Sequence, residues 1–393
     1  MYSEDDINSA VAAGALSAES AKEFRTYMTR VRELPRSSEE DFRLINSFND
    51  IFVSIGIVIL LLAVGAIGQA IAGIVAPAED FLQLMQQNPP ATEAQLAAWR
   101  EANNIKQAWQ ISLSGLFVAA AAWPLAEFFT RKRRMALPSI LLLLAFVGGT
   151  FATVLGVAVG IVERGNDQLG AVLISLAALV AAGGAFIHWR RFMVPITVAA
   201  GAAAIAATVI ALIVAGLGPR DLNPDVILAL VFVAGLGVFA FAMRWDVTDL
   251  ERTTRRSDVA FWLHLLAAPM IAHPIFSLIG VTDGDNIGVG AAIGVVAVYI
   301  GFGLLALAID RRALLVSALA YVLFALTFLF REFGAVELNF ALTALVIGSA
   351  LLSLSAFWQP IRRSVVSALP ENLQQRLPAT SDVALAAPAA TPA

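Results

Sequence analysis

Residues 51–75 read IFVSIGIVILLLAVGAIGQAIAGIV, without one charged side chain. Apolar runs longer than roughly 18 residues separate a membrane-spanning helix from a buried core helix, and this run exceeds that length. At 1.5 Å per residue it would extend about 37 Å as a helix, more than the hydrocarbon core of a bilayer needs. Nine further runs follow at 107–129, 136–162, 169–188, 193–217, 225–243, 259–281, 287–309, 313–330 and 338–358. Backbone groups cannot go unpaired in hydrocarbon, and none of the runs has the period-two alternation of barrel strands. Each is therefore predicted to be a helix. The fold class expected is an all-α polytopic membrane protein with about ten transmembrane helices.

Composition agrees. Of 393 residues, 59% are hydrophobic and 14% charged, where a soluble domain carries about 25% charged residues. The formal net charge of −4 is too small to imply nucleic acid or an acidic substrate as partner. The chain has no cysteine, which excludes disulfides, thiolate metal sites and cysteine nucleophiles. It opens with the acidic Met1-Tyr2-Ser3-Glu4-Asp5-Asp6 and has no basic segment leading into a short apolar core, so the first span is expected to act as an uncleaved insertion signal.

Orientation is read from the lysines and arginines that flank the spans. Loops after even-numbered spans hold Arg131, Lys132, Arg133, Arg134, Arg190, Arg191, Arg244, Arg252, Arg255, Arg256, Arg311, Arg312, Arg362 and Arg363. Loops after odd-numbered spans hold only Arg100, Lys106, Arg164, Arg220 and Arg331. Fourteen against five places the even side, and with it both termini, in the cytoplasm. A dibasic pair recurs at Arg133, Arg190, Arg255, Arg311 and Arg362, at intervals of 57, 65, 56 and 51 residues, one helical hairpin per interval. Repeated hairpins would explain this, and so would the positive-inside rule acting on spans of uniform length.

Three domains are expected: a cytoplasmic helical module over 1–45, a transmembrane body over 46–363 with an outer loop at 77–106, and a largely disordered cytoplasmic tail over 364–393 rich in Ala, Pro, Thr and Ser. In the module, Ser37-Ser38-Glu39-Glu40 offers a helix N-cap with a carboxylate following. In the outer loop, Thr92 to Gln95 forms a capping box that would open a short helix lying at the interface.

Small residues at helical spacing mark close packing. Gly149, Gly156 and Gly160 fall on one stripe of the third span, and Gly290, Gly294 and Gly301 repeat it in the eighth. Intramembrane ionisable residues are the default functional candidates, because a charge in hydrocarbon costs at least ~2.5 kcal/mol. Few occur here. Glu127 and His188 lie at span ends, with Arg131 within reach of Glu127, and Asp50 and Asp258 lie at helix N-termini that favour an anion. The seventh span differs: Trp262, His264, Pro269, His273 and Pro274 punctuate an apolar helix. Prolines free carbonyls that protein or a cavity must satisfy, so these five residues form the candidate binding site. Nine residues apart at about 100° each, the two imidazoles point to opposite sides of a straight helix and would not share a metal. Hydrogen bonding to neighbouring helices explains them equally well. No hydrolase, zinc-protease, Walker or dinucleotide motif is present, so no catalytic residue, metal or cofactor is assigned.

The segment Ala12-Ala13-Gly14-Ala15-Leu16-Ser17-Ala18-Glu19-Ser20-Ala21, a polar link, and Phe52-Val53-Ser54-Ile55-Gly56-Ile57-Val58-Ile59-Leu60-Leu61 resemble the DUF2157 group of predicted bacterial membrane proteins. The resemblance covers about the first 75 residues and the multi-span layout. It implies the bacterial cytoplasmic (inner) membrane and no particular activity. Expected partners are the lipid bilayer and a protein bound through the N-terminal module. Three function classes remain: a non-catalytic assembly or sensing component, a transporter of a neutral or lipid-like molecule, and an intramembrane enzyme. The lack of buried midplane carboxylates favours the first.

Overall fold

A computed structural model describes residues 7, 10–14, 16–24, 48–86, 91–162, 166–220, 222–250, 252, 254–280, 288–332 and 338–378. Among them the regular structure is all helical. The helices are α1 (Phe48–Val75), α2 (Phe81–Met85), α3 (Glu93–Ala126, continued by a π-helical turn Glu127–Lys132), α4 (Ala136–Ile161), α5 (Asp167–Phe192), α6 (Ile196–Leu217), α7 (Pro224–Val247), α8 (Arg255–Leu278), α9 (Val289–Ile309), α10 (Ala313–Glu332), α11 (Asn339–Ala356), α12 (Trp358–Ser367) and α13 (Glu371–Gln374). Ten of these, all but α2, α12 and α13, are long and apolar enough to cross a membrane. Most of the N-terminal module, including Ser37 to Glu40, lies outside the described residues, as do residues 379–393. Of the module, residues 18–24 are helical behind Ser17, whose hydroxyl accepts from the Ser20 amide, and Ala21 is fully buried.

The second span is longer than the sequence suggested. The Thr92–Gln95 capping box is present, but it opens a single helix that continues into the span instead of a separate interfacial helix. Between Gln95 and Gln110 there is neither glycine nor proline, so once nucleated the helix has no reason to stop. Its 34 α-helical residues extend about 51 Å, and the excess projects beyond the bundle. There Trp99 donates its indole N–H to the Glu79 carbonyl at 2.9 Å and packs against Phe81 of α2.

Glycine decides how α1, α3 and α4 meet. A Cβ on Gly115 would stand 2.6 Å from the Gly149 carbonyl oxygen, and one on Gly149 equally close to that of Gly115. A Cβ on Gly156 would fall 2.5 Å from the Ser112 nitrogen, and one on Gly68 2.8 Å from the Leu113 carbonyl. Backbones that close let side-chain hydroxyls bridge helices: Ser112 donates to the Thr153 carbonyl at 3.0 Å and Ser114 to that of Gly65 at 2.9 Å. Gly160 sits at the fringe of the same contact, where an added Cβ would stand 3.2 Å from the Ala108 methyl. The glycines of α9 behave differently. Gly290 and Gly301 have open space at the Cβ position, and Gly294 meets only Ile279 at 3.5 Å. That helix packs through the adjacent stripe, Ala292, Val295, Tyr299, Phe302 and Ala306, because bulk and not smallness fills the contact there.

In the second half of the chain α8 is the centre. It is the most buried of the spans and packs against α6, α7 and α10, burying Val259, Leu263, Ala267 and Ile271 against Ala199, Val238 and Ala242. The arginine-rich loops gather at one end of the bundle. Each of the first four contains one non-glycine residue with a left-handed backbone, Arg134, Met193, Arg252 and Asp310, at intervals of 59, 59 and 58 residues.

Candidate functional site

At the arginine-rich end, α7 finishes with Trp245-Asp246-Val247, and Asp246, the penultimate residue of the helix, is buried. Three elements converge on its carboxylate. Arg311, in the turn after α9, places Nη2 2.5 Å from Oδ1 and Nε 3.4 Å from Oδ2. His264 of α8 sets Nε2 2.7 Å from Oδ2. The same Arg311 Nη2 donates to the Ser257 carbonyl and hydroxyl, both at 3.1 Å. With a carboxylate opposite, the imidazole carries its proton on Nε2 and donates it. Nδ1 has no hydrogen-bond partner among the described residues. Phe239 lies edge-on to the ring at 5.2 Å.

A second carboxylate stands beside the first. Asp310 caps α9 with left-handed backbone, φ 56°, a conformation aspartate tolerates better than most residues. Its Oδ2 accepts from Arg252 Nη1 at 3.0 Å, while Arg252 Nη2 donates to the Ile309 and Asp310 carbonyls at 3.0 Å. Oδ1 accepts the Trp358 indole N–H at 2.7 Å and lies 3.6 Å from Arg362 Nε. Trp358 and Arg362 are one turn apart on α12, and both are buried. Arg362 also donates to the Pro378 carbonyl at 2.5 Å, and Arg312 stacks on the Trp358 ring at 4.7 Å. Burial holds the Arg362 guanidinium below the ordinary arginine range, with Asp310 opposing that shift. Asp249 braces the loop between α7 and α8, accepting the Thr254 amide at 3.0 Å and its hydroxyl at 2.7 Å.

The arrangement is a clasp. Two buried carboxylates and three guanidinium groups join α7, α8, the α9–α10 turn and α12. In low dielectric, charges survive only when paired and hydrogen-bonded, and here each carboxylate oxygen is engaged. Among the described residues no group of three His, Asp or Glu could hold a metal ion.

The residues singled out in the seventh span divide. His264 is fully buried inside the clasp. His273 is exposed on the half of α8 away from the arginine-rich end, its Nδ1 2.6 Å from the Tyr321 hydroxyl of α10, and Tyr321 stacks on the buried Phe276 at 4.4 Å. Pro269 is exposed and Pro274 buried, and α8 runs on through both. Trp262 is half-buried against the clusters formed by α4, α6 and α7. The structure thus brings His264 together with Asp246 and Arg311, and places His273 elsewhere.

The first half carries a looser counterpart. Arg191, at the end of α5, grips Glu127 of the π-turn at 2.6 and 3.0 Å, and Arg131 reaches the same carboxylate at 3.4 Å. This group is open to solvent, so it contributes little. Next to it His188 is fully buried among Trp123, Phe146 and Phe192. Carboxylates at the ends of spans two, six and eight therefore pair with arginines two spans later, Glu127 with Arg191, Asp246 with Arg311, and Asp310 with Arg362.

No protein-family model, curated protein or solved structure matches this chain.

Proposed function

We propose that this multi-pass membrane protein is a non-catalytic assembly or sensing component of the bacterial cytoplasmic membrane, with both termini in the cytoplasm and α12 as its responsive part. One observation carries the reading: the buried carboxylate Asp310 is spent on seating α12 through Trp358 and Arg362, while Asp246, His264 and Arg311 lock together the helices beneath it. A short helix seated by one buried indole and a few polar contacts is an element that a partner can displace. The positive-inside bias supports the orientation. The left-handed turn that recurs every 58 or 59 residues supports an origin from repeated hairpins, and kinship with the DUF2157 group belongs to the same proposal.

The absence of cysteine permits a direct test by single-cysteine labelling with a membrane-impermeant maleimide. In permeabilised cells Val366→Cys, on the buried face of α12, should react slowly and Ser364→Cys, on the exposed face, quickly. Adding Asp310→Asn should raise the Val366→Cys rate about tenfold or more, since a lost charged hydrogen bond costs about 1.5–3 kcal/mol. Equal rates at the two sites in the unaltered clasp would count against a docked α12, and an unchanged rate in Asp310→Asn against the clasp as its anchor. For topology, a reporter fused after Arg363 should be cytoplasmic and one inserted near Pro90 should not. Reversed labelling at either position defeats the orientation.

A transporter of a neutral or lipid-like molecule is the second reading, favoured by a groove of about 620 Å³ between α1, α3 and α4. Flux of a neutral lipid across proteoliposomes that persists when α12 is deleted would move the balance toward it.

A further inference from the structure

The groove is built by α1, α3 and α4, none of which contributes to the clasp. Its floor is made of Gly115, Gly148, Gly149 and Ala152, its deep wall includes Val118 and Leu144, and at its outer end stand Gln69, Gln107 and Gln110. Gly68 packs on Leu113, so Gln69 of α1 is level with the Gln110 turn of α3, and Gln107 is one turn further out. Gln69 sits six residues, about 9 Å, inside the end of an otherwise apolar run. Gln69 and Gln107 are exposed at the mouth of the groove and Gln110 is half-buried, and none of the three amides makes a side-chain hydrogen bond among the described residues. An amide left unpaired at membrane depth costs free energy, and three that converge from two helices on one opening call for a polar group brought from outside. A volume of about 620 Å³ falls within the roughly 300–1,000 Å³ of small-molecule sites.

We propose that this groove binds one membrane lipid, of the outer leaflet in the orientation proposed above, with an acyl chain lying on the Gly148 floor and an uncharged, hydroxyl-bearing head group held by Gln69, Gln107 and Gln110. The polarity gradient fits an amphiphile, amides at the interface and aliphatic wall below. A glutamine amide offers both donors and an acceptor, as vicinal hydroxyls do. No arginine or lysine lines the groove, so nothing there selects a phosphate. The site is independent of the clasp and of whether the protein transports anything.

Gly148 supplies the test. A Cβ there meets nothing within 4 Å, whereas the adjacent Gly149 is in backbone contact with α3. Gly148→Leu should therefore fill the groove without disturbing the helix interface. The full chain is reconstituted in phosphatidylcholine vesicles containing a glycosyl diacylglycerol with a photoreactive acyl chain, or phosphatidylglycerol with the same chain. Irradiation should attach the neutral probe to peptides of α3 and α4 that line the groove. Gly148→Leu, at unchanged melting temperature, should remove that labelling, and Gln69→Leu with Gln110→Leu should weaken it about tenfold. Labelling spread over the whole lipid-facing surface and indifferent to Gly148→Leu would overturn the site. Equal labelling by the anionic probe would overturn the head-group assignment. A covalent adduct between two chains through these peptides would assign the groove to a second copy and overturn the lipid. If Gly148→Leu fails to fold, the glutamine pair alone decides, because unchanged neutral-probe labelling in that variant overturns the proposal.

Discussion

Arg311→Ala is expected to cost about 3–5 kcal/mol of stability, the range for breaking a buried ion pair by removing one partner. Arg311 is 1% exposed and gives Asp246 its closest contact while also holding the Ser257 carbonyl and hydroxyl. Without it the buried Asp246 carboxylate keeps only the His264 donor, and a negative charge is left in low dielectric. Asp246→Ala should be about as damaging, because it strands the guanidinium instead. The double variant Asp246→Leu with Arg311→Met removes both charges and keeps the volume, and should be closer to wild type than either single change. Thermal unfolding of the purified protein in detergent measures all three. If the double variant loses as much as the two singles added together, the residues are not coupled and the clasp is not a unit.

The transmembrane helices were legible because each apolar run is longer than a soluble core helix needs and the bilayer imposes that length on every span. The continuous α3 was not, since a capping box reports where a helix starts and carries no information about where it ends. The clasp was hidden by the rule from which the topology is inferred. An arginine at the end of a span satisfies the positive-inside bias whether it faces water or turns inward, and Arg311 and Arg362 are fully buried while Arg312 is half-buried over Trp358 and Arg363 is exposed. Which member of a dibasic pair is buried depends on helical phase, and at Arg311 that phase is set by the left-handed turn at Asp310 just before it. That turn has no sequence signature here, because its left-handed position is held by Arg134, Met193, Arg252 or Asp310 and not by glycine. His264 was marked by its proline-flanked apolar setting, but its partners are 18 residues away at Asp246 and, through it, 65 further on at Arg311. Only the tertiary fold supplies those contacts. The amphipathic Trp358 to Arg362 spacing was a signal available in the sequence, obscured by the low-complexity tail that follows it.

Gly149→Leu should be among the most damaging single changes in the chain, and the same substitution at Gly290 or Gly301 nearly silent. The two sets of glycines are indistinguishable as sequence stripes, so the contrast tests packing and not composition. At Gly149 a Cβ would stand 2.6 Å from the Gly115 carbonyl oxygen and 2.9 Å from the Ala119 nitrogen. Those are backbone atoms of a facing helix, which cannot rotate out of the way as a side chain would. The helices must separate, and the hydroxyl bonds from Ser112 to Thr153 and from Ser114 to Gly65, together with the dispersion contacts along the whole interface, weaken with them. Overpacking of a well-packed interior costs about 1–3 kcal/mol, occasionally more, and a leucine driven against backbone belongs at the upper end. Gly290 and Gly301 have nothing within 4 Å of the added Cβ, so leucine there only gains lipid contact. The readout is the fraction of protein that remains monodisperse after extraction, together with its melting temperature. A Gly149→Leu variant that extracts and melts like wild type would mean that α3 and α4 do not meet at this register, and the glycine contact would have to be abandoned.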